Sequence, residues 1–372
     1  MKKTSVKDIC IVCPRAYPVF EPTVQGTFGG AEVQLVLLAT TIKNLFPETK
    51  VRFLVADYGQ SKRTVTKDGI ECINIIDLDF NVKSIFKFIF GLIKYTSQVN
   101  VHRAIHPATT FIALISKLKF QKFVYMVAHD TETDATHPLL KSRLSKKWIN
   151  LAFKISDLVI TQNNYQLNRL THLNNKVCLI PNGINLEYKL NFEKKYDLLW
   201  VGRSDSWKQP LLFLELAKSF PQFNCMMICT QGVEKNSSAF HREIKVFAGS
   251  LNNCEFSSFV PFMETNSIYA KSKLLINTSE SEGFSNAFLQ AATQGVPIVS
   301  LNADPNQMLS KHNTGKYCNN SYEQLQQEVH LLLTNLALLE EYSTNAFNFV
   351  KKHHDINMIA EKFINKIDSC VA

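Results

Sequence analysis

Short apolar runs alternate with helix-length amphipathic segments along most of this 372-residue chain. That rhythm predicts parallel sheets covered by helices. In the first half, strands are expected at 9–13, 51–56, 71–75, 124–129, 158–161 and 177–180, with helices such as 31–45 and 141–155 between them. In the second half, strands fit 198–201, 225–229, 274–276 and 298–300, and helices fit 210–219, 240–250, 286–294 and 322–334. The rhythm pauses at PNGINLEYKLNFEKKYD, residues 181–197, which opens on a Pro-Asn-Gly turn and continues polar. The domain boundary is placed there. The fold class is α/β, with two similar Rossmann-like units over 1–190 and 191–351.

Hydrophobic residues make up 45% of the chain and charged residues 20%, ordinary for a globular protein. No stretch reaches the roughly 18 uncharged apolar residues of a membrane span. The start, MKKTSVKDICIVCP, has only a five-residue apolar run and reads as a buried strand rather than a signal peptide. The nine cysteines are scattered. Cys10 and Cys13 form a lone CxxC inside a strand-like run, so buried thiols in a reducing cytosol are expected. Charge is divided unevenly: residues 1–190 carry 25 Lys+Arg against 14 Asp+Glu, and residues 191–372 carry 16 against 18. A basic half suits nucleic acid, an anionic membrane or a phosphorylated substrate. No nucleic-acid-binding motif accompanies it.

In open parallel sheets, ligands bind at the carboxyl ends of strands. Three such ends carry unusual chemistry. Gly26-Thr27-Phe28-Gly29-Gly30-Ala31-Glu32 follows the first strand and opens a helix, where Gly29 and Gly30 allow close approach and the helix start offers N–H groups to an anion. It is neither GxGxxG nor a P-loop, which weakens a hydride-transfer or NTPase reading. Val201-Gly202-Arg203-Ser204-Asp205-Ser206-Trp207-Lys208 places two cations across a strand exit. Arg203 suits bidentate phosphate binding and Lys208 adds a point charge. In SEGFSNAFLQA, Glu282 falls in the loop, Gly283, Phe284, Ser285 and Asn286 open the next helix, and Gln290 lies about one turn in.

Two further stretches have competing readings. HDTETDATH gathers His129, Asp130, Glu132, Asp134 and His137, a set that suits a divalent metal or a solvated acidic loop. NVKSIFKFIFGLIKYTSQV, from Asn81, sets Lys83, Lys87 and Lys94 among apolar residues, and the segment 141–154 has five cations and no acid. Such segments lie on anionic membranes, or are domain helices with the apolar face in the core.

Taken together, the stretches resemble a family 4 retaining glycosyltransferase of the GT-B fold, in which two Rossmann-like domains face each other across a cleft. Gly29-Gly30-Ala31-Glu32 is similar to the family's donor-phosphate loop, and ISDLVITQNNYQLNRL to the segment before its Pro-Asn-Gly, here Pro181-Asn182-Gly183. WVGRSDSWK resembles its Gly-Arg…Lys phosphate clamp, SEGFSNAFLQA its Glu-seven-Glu motif and GVPIVS the strand after it. The resemblance implies an acceptor-binding domain 1–190 completed by a crossing helix at about 352–372, and a nucleotide-sugar-binding domain 191–351. It implies catalytic roles for Arg203, Lys208, Glu282 and His129, and substrate contacts from Gly29, Gly30, Gly283, Phe284, Ser285, Asn286 and Gln290. Gln290 stands where the family has a ribose-binding Glu. Backbone groups near 259–261 are expected at the base.

The resemblance further implies hexose transfer from a nucleotide sugar to a glycan or glycolipid acceptor in surface-polysaccharide synthesis, with retention at the anomeric carbon. It needs neither cofactor nor metal. The expected location is the cytoplasm or the inner face of the plasma membrane. A non-catalytic relative and a nucleotide-sugar 2-epimerase are the alternatives, and the epimerase's acid/base set finds no match here.

Overall fold

The computed structural model describes residues 4–371 apart from 80, 135–136, 175, 187–191 and 233–236, and leaves the side chains at 134, 138, 139, 262 and 263 undescribed. The chain forms two compact units, Met1–Asn185 with Ile356–Ala372, and Leu186–Asp355.

The first unit carries an eight-stranded sheet, β1 (Asp8–Val12), β2 (Lys50–Asp57), β3 (Arg63–Val65), β4 (Glu71–Asp77), β5 (Val99–Arg103), β6 (Lys122–Met126), β7 (Leu158–Thr161) and β8 (Val177–Leu179), in the order β3-β4-β2-β1-β5-β6-β7-β8. Every pairing is parallel except β3 with β4. A parallel sheet is covered on both faces, so its strands read as continuous apolar runs. Successive side chains then supply two cores. Ile9, Ile11, Phe53, Val101 and Ile160 pack with the helices Gly30–Leu45 and Ile356–Val371. Cys10, Val12, Leu54, Phe123 and Val159 pack with the helices Val82–Tyr95, Thr109–Leu118 and Arg143–Ile155.

The helix Leu336–His353 stops at His354–Asp355, and Ile356–Val371 returns to the first unit. Its docking uses the Pro-Asn-Gly turn. Gln34 donates from Nε2 to the Gly183 carbonyl at 2.9 Å and accepts the Gly183 N–H at 3.0 Å. The Ile356 N–H donates to the Ile184 carbonyl at 3.1 Å. A Cβ on Gly183 would stand 2.5 Å from Ile356 Cδ1 and 3.1 Å from its Cα, so only glycine admits this approach. At the helix's far end, one Asp368 carboxylate oxygen accepts from the Thr4 and Ser5 hydroxyls at 2.8 and 2.6 Å and from the Ser5 N–H at 2.9 Å.

The second unit carries an all-parallel sheet of β9 (Tyr196–Arg203), β10 (Cys225–Thr230), β11 (Cys254–Ser257), β12 (Ser272–Asn277), β13 (Ile298–Ser300) and β14 (Gly315–Tyr317), ordered β11-β10-β9-β12-β13-β14. The sequence-based strands all form, some with shifted ends. The strand expected over 124–129 runs from Lys122 to Met126, because Val127 is the last residue to bond back to β7. Four strands were not anticipated: β3, β5, β11 and β14. All nine cysteines are free, with Cys178, Cys254 and Cys370 partly exposed rather than buried. No helix among the described residues is long and apolar enough to cross a membrane.

Candidate functional site

In an open parallel sheet the ligand crevice lies where the strand order reverses. In the second unit that point falls between β9 and β12, which pair in parallel from Ser272 beside Tyr196. The loops leaving these two strands carry Arg203, Lys208 and Glu282.

Arg203 ends β9. Its Nε and Nη2 both donate to Oδ2 of Asp205, at 2.7 and 2.6 Å. Asp205 is buried, so the guanidinium is held in one orientation from behind. The chain then makes a 3-10 turn, Ser206–Lys208, and enters the helix Pro210–Ser219 through Gln209, whose φ is +50°. This turn is fastened to the loop after β12. The Thr278 hydroxyl donates to the Lys208 carbonyl at 2.8 Å and accepts from Trp200 Nε1 at 3.0 Å, and the Glu280 N–H donates to the Trp207 carbonyl at 2.9 Å.

The two loops meet at Lys208 and Glu282. Lys208 Nζ donates to Glu282 Oε1, with side chains 16% and 7% exposed. The same oxygen accepts from the Ser279 hydroxyl at 2.8 Å and Asn277 Nδ2 at 3.4 Å. The Lys208 ammonium also lies 4.3 Å from the centre of the Trp207 ring. A cation so tied is positioned before any ligand arrives, which is what stabilising a developing anion requires.

Ser285 is the N-cap of the helix Asn286–Thr293, in extended conformation. Phe284 is buried, 4.5 Å from the His354 ring. Gln290 is buried as well, and its Nε2 donates to Thr265 Oγ1 at 3.1 Å. Its amide thus bonds to the helix Phe262–Ala270. Phe259, the first residue of the segment expected at the base, is exposed, and its carbonyl accepts from the Ser257 hydroxyl at 2.8 Å.

In the first unit the strand order reverses between β1 and β5. Gly29 and Gly30 open the helix that follows β1, and the Gly29 N–H donates to Glu32 Oε2 at 2.8 Å, half of a capping box. His129 lies three residues past β6. Its N–H and that of Ala128 donate to Glu132 Oε1, each at 3.1 Å, and its Nδ1 is 3.1 Å from the Thr131 hydroxyl. Tyr125 donates its phenolic proton to the other oxygen of Glu132. Burial pushes the Glu132 carboxyl up to about 7, against the opposing pull of these donors and of Arg103.

Glu132 is therefore turned inward, and Asp130 accepts from Asn163 Nδ2 and Gln166 Nε2, at 2.9 and 2.8 Å. The Asp134 side chain lies outside the described residues. Among the described residues no three His, Cys, Asp or Glu groups converge as metal ligands.

Sequence reasoning missed three participants. Arg103, at the end of β5, is buried; its Nη2 donates to Asn182 Oδ1 at 2.7 Å and its Nε has no hydrogen-bond partner. Burial pushes its guanidinium down to about 10. Glu132 is read from sequence as a metal-ligand candidate or a solvated loop acid, and Asp205 is given no role there. Arg103 follows Val99-Asn100-Val101-His102, where polar residues interrupt the apolar run and leave no strand signal to mark it.

The comparisons with known proteins fit this architecture. The family model for "Glycosyl transferases group 1" matches residues 185–349. An uncharacterized glycosyltransferase of Methanocaldococcus jannaschii is 25% identical over 302 residues, covering 74% of this chain and 75% of that protein. Among solved structures, sucrose-phosphate synthase of Thermosynechococcus elongatus superposes with a TM-score of 0.79 at 14% identity, covering 96% of this chain and 97% of that one. Anabaena HepE in complex with UDP-glucose gives 0.74 at 14% identity, covering 97% and 99%. A Rickettsia africae glycosyltransferase gives 0.73 at 17%, covering 99% of each chain. These structural likenesses show the fold, and the group 1 match favours transfer over an epimerase. The second unit thus matches the group 1 glycosyltransferase family model, and both units together have the GT-B fold.

Proposed function

We propose that the protein is a retaining hexosyltransferase that uses a nucleoside-diphosphate sugar and passes the hexose to a lipid-linked glycan acceptor. The observation that carries the reading is the Lys208–Glu282 pair, which joins the loop that begins after Arg203 to the loop after β12 at the strand-order reversal of the second unit. Structures of Anabaena HepE with UDP and with UDP-glucose support a nucleotide-sugar donor.

When the bond between the anomeric carbon and the β-phosphate oxygen breaks, its electron pair stays on that oxygen. Arg203 and Lys208 supply the balancing charge, and the N–H groups of Gly283 to Asn286 supply further donors. Glu282, fixed by Lys208 and Ser279, accepts from hydroxyls of the donor sugar. The acceptor hydroxyl adds on the face the phosphate leaves, and its proton passes to the departing phosphate oxygen. His129 and the Gly29–Gly30 turn keep the roles the family resemblance gives them, at the sugar and the pyrophosphate. No metal enters this scheme, and full turnover in excess EDTA is expected.

A thermal-shift screen with UDP, GDP, ADP and their sugars identifies the donor, and NMR of the product gives its anomeric configuration. Failure of every nucleotide to stabilise the protein overturns the donor assignment. A product of opposite configuration to the donor overturns retention.

A further inference from the structure

A helix on the surface of a domain normally shows one apolar stripe. The helix Val82–Tyr95 shows two. Ser84, Phe88, Gly91, Leu92 and Tyr95 are buried against the first unit's sheet. Val82, Phe86, Phe90 and Ile93, spaced four, four and three residues apart, point the other way, with Phe86 59% and Phe90 68% exposed. At about 100° per residue the two stripes lie on opposite sides of the helix.

The outward stripe continues past the helix. Lys119 Nζ donates to the Ile93 carbonyl at 2.7 Å, which ties in the turn that carries Leu118 and Phe120, the latter 98% exposed. Cations flank this surface. The helix itself holds Lys83, Lys87 and Lys94 and no carboxylate, and Lys87 alone of the three makes an ion pair among the described residues, with Asp57 and Asp77. The helix Arg143–Ile155, in the same layer, also lacks a carboxylate.

We infer that this stripe seats the protein on a bilayer rich in anionic lipid, with Phe86 and Phe90 at the boundary of headgroup and acyl chain and Lys83 and Lys94 against lipid phosphates. Apolar residues flanked by Lys83 and Lys94, which make no ion pair among the described residues, are the recognition chemistry of such a surface. A second copy of the chain would set like charges against one another, whereas anionic headgroups supply the missing countercharge. The inference does not rest on the transfer reaction, because lipid binding is read without donor or acceptor.

Flotation of the full chain tests it, using phosphatidylcholine vesicles with and without one-third phosphatidylglycerol. Binding is expected to the anionic vesicles only, to weaken at high salt, and to fall about tenfold or more when Phe86→Ser and Phe90→Ser are combined. Both side chains are exposed, so the thermal midpoint of that variant is expected to stay unchanged. Should the pair nevertheless impair folding, Phe90→Trp decides, with a blue-shifted indole emission quenched by brominated lipid. Absence of flotation at low salt, undiminished flotation of the serine variant, or an indole emission from Phe90→Trp that does not shift on adding vesicles overturns the inference. A concentration-dependent dimer abolished by the serine pair overturns it too, in favour of self-association.

Discussion

Lys208 Nζ and a carboxylate oxygen of Glu282, on residues 74 apart in sequence, form an ion pair where the strand order of the second sheet reverses. Removing one partner leaves the other largely buried and uncompensated. Lys208→Ala is expected to cost about 2–3 kcal/mol in denaturant unfolding and to lower turnover by about 10²–10³. Lys208→Met combined with Glu282→Gln should recover most of the stability and none of the turnover, measured as nucleotide release. Recovery of both would make the pair purely structural.

Arg203 engages Asp205 through two nitrogens of one guanidinium edge. A lysine keeps the charge but has no second, fixed donor. Arg203→Lys is therefore expected to lower turnover by about 10² while leaving the unfolding midpoint nearly unchanged. Turnover above a tenth of wild type would remove Arg203 from the phosphate site.

Gln290 occupies the position where the family resemblance implies a ribose-binding carboxylate, and its amide is bonded to Thr265. Gln290→Glu restores a charged acceptor, and charge-assisted hydrogen bonds are about twice as strong as neutral ones. Calorimetry with the preferred nucleoside diphosphate should show about tenfold tighter binding, with some loss of stability from the added buried charge. Unchanged affinity would show that position 290 does not touch the ribose.

Glu132 gives the first unit a pH dependence. Its carboxyl is pushed up from 4.5 to about 7 by burial, so the folded state keeps a proton that the unfolded state releases. Its contribution to stability is fully present below about pH 4.5 and is lost as pH rises through about 7. Glu132→Gln should flatten the stability profile in that window, by up to about 3 kcal/mol. A profile parallel to wild type would contradict this assignment.

Gly183 is the point at which the returning helix touches the Pro-Asn-Gly turn. Gly183→Ala is expected to destabilise the protein by about 1–3 kcal/mol through overpacking against Ile356. Ile356→Val deletes the Cδ1 atom that the new methyl meets, and should restore part of that loss in the double variant. The backbone contact at Ile356 Cα limits the rescue.

The alternation of apolar runs made the parallel sheets legible because strands buried on both faces have little choice of composition. β5 escaped for the opposite reason: Asn100, His102 and Arg103 are buried polar residues, hydrogen-bonded to Ser97 and Gln121, to the Val12 carbonyl and to Asn182. Three of those partners, Gln121, Val12 and Asn182, come from other segments, so no local pattern announces them. β3, β11 and β14 are three- or four-residue strands at sheet edges, and Gly315 is the one buried residue among them. The cations and Glu282 were legible from motif order, whereas the fastening of Arg203 by Asp205 depends on side-chain orientation. In Val82–Tyr95 sequence alone left open a core helix or an interfacial one; the helix has one buried stripe and one exposed apolar stripe.

The helix Ile356–Val371 covers one face of a sheet whose strands were all translated before Leu186, and Asp368 fastens it to Thr4 and Ser5. During vectorial synthesis on the ribosome, that face is covered only in part, with the helix Gly30–Leu45 against it, until Ile356–Val371 emerges. The uninterrupted second unit is complete earlier. A polypeptide terminated before Ile356 would thus carry a finished second unit attached to a first unit with part of its core exposed to water.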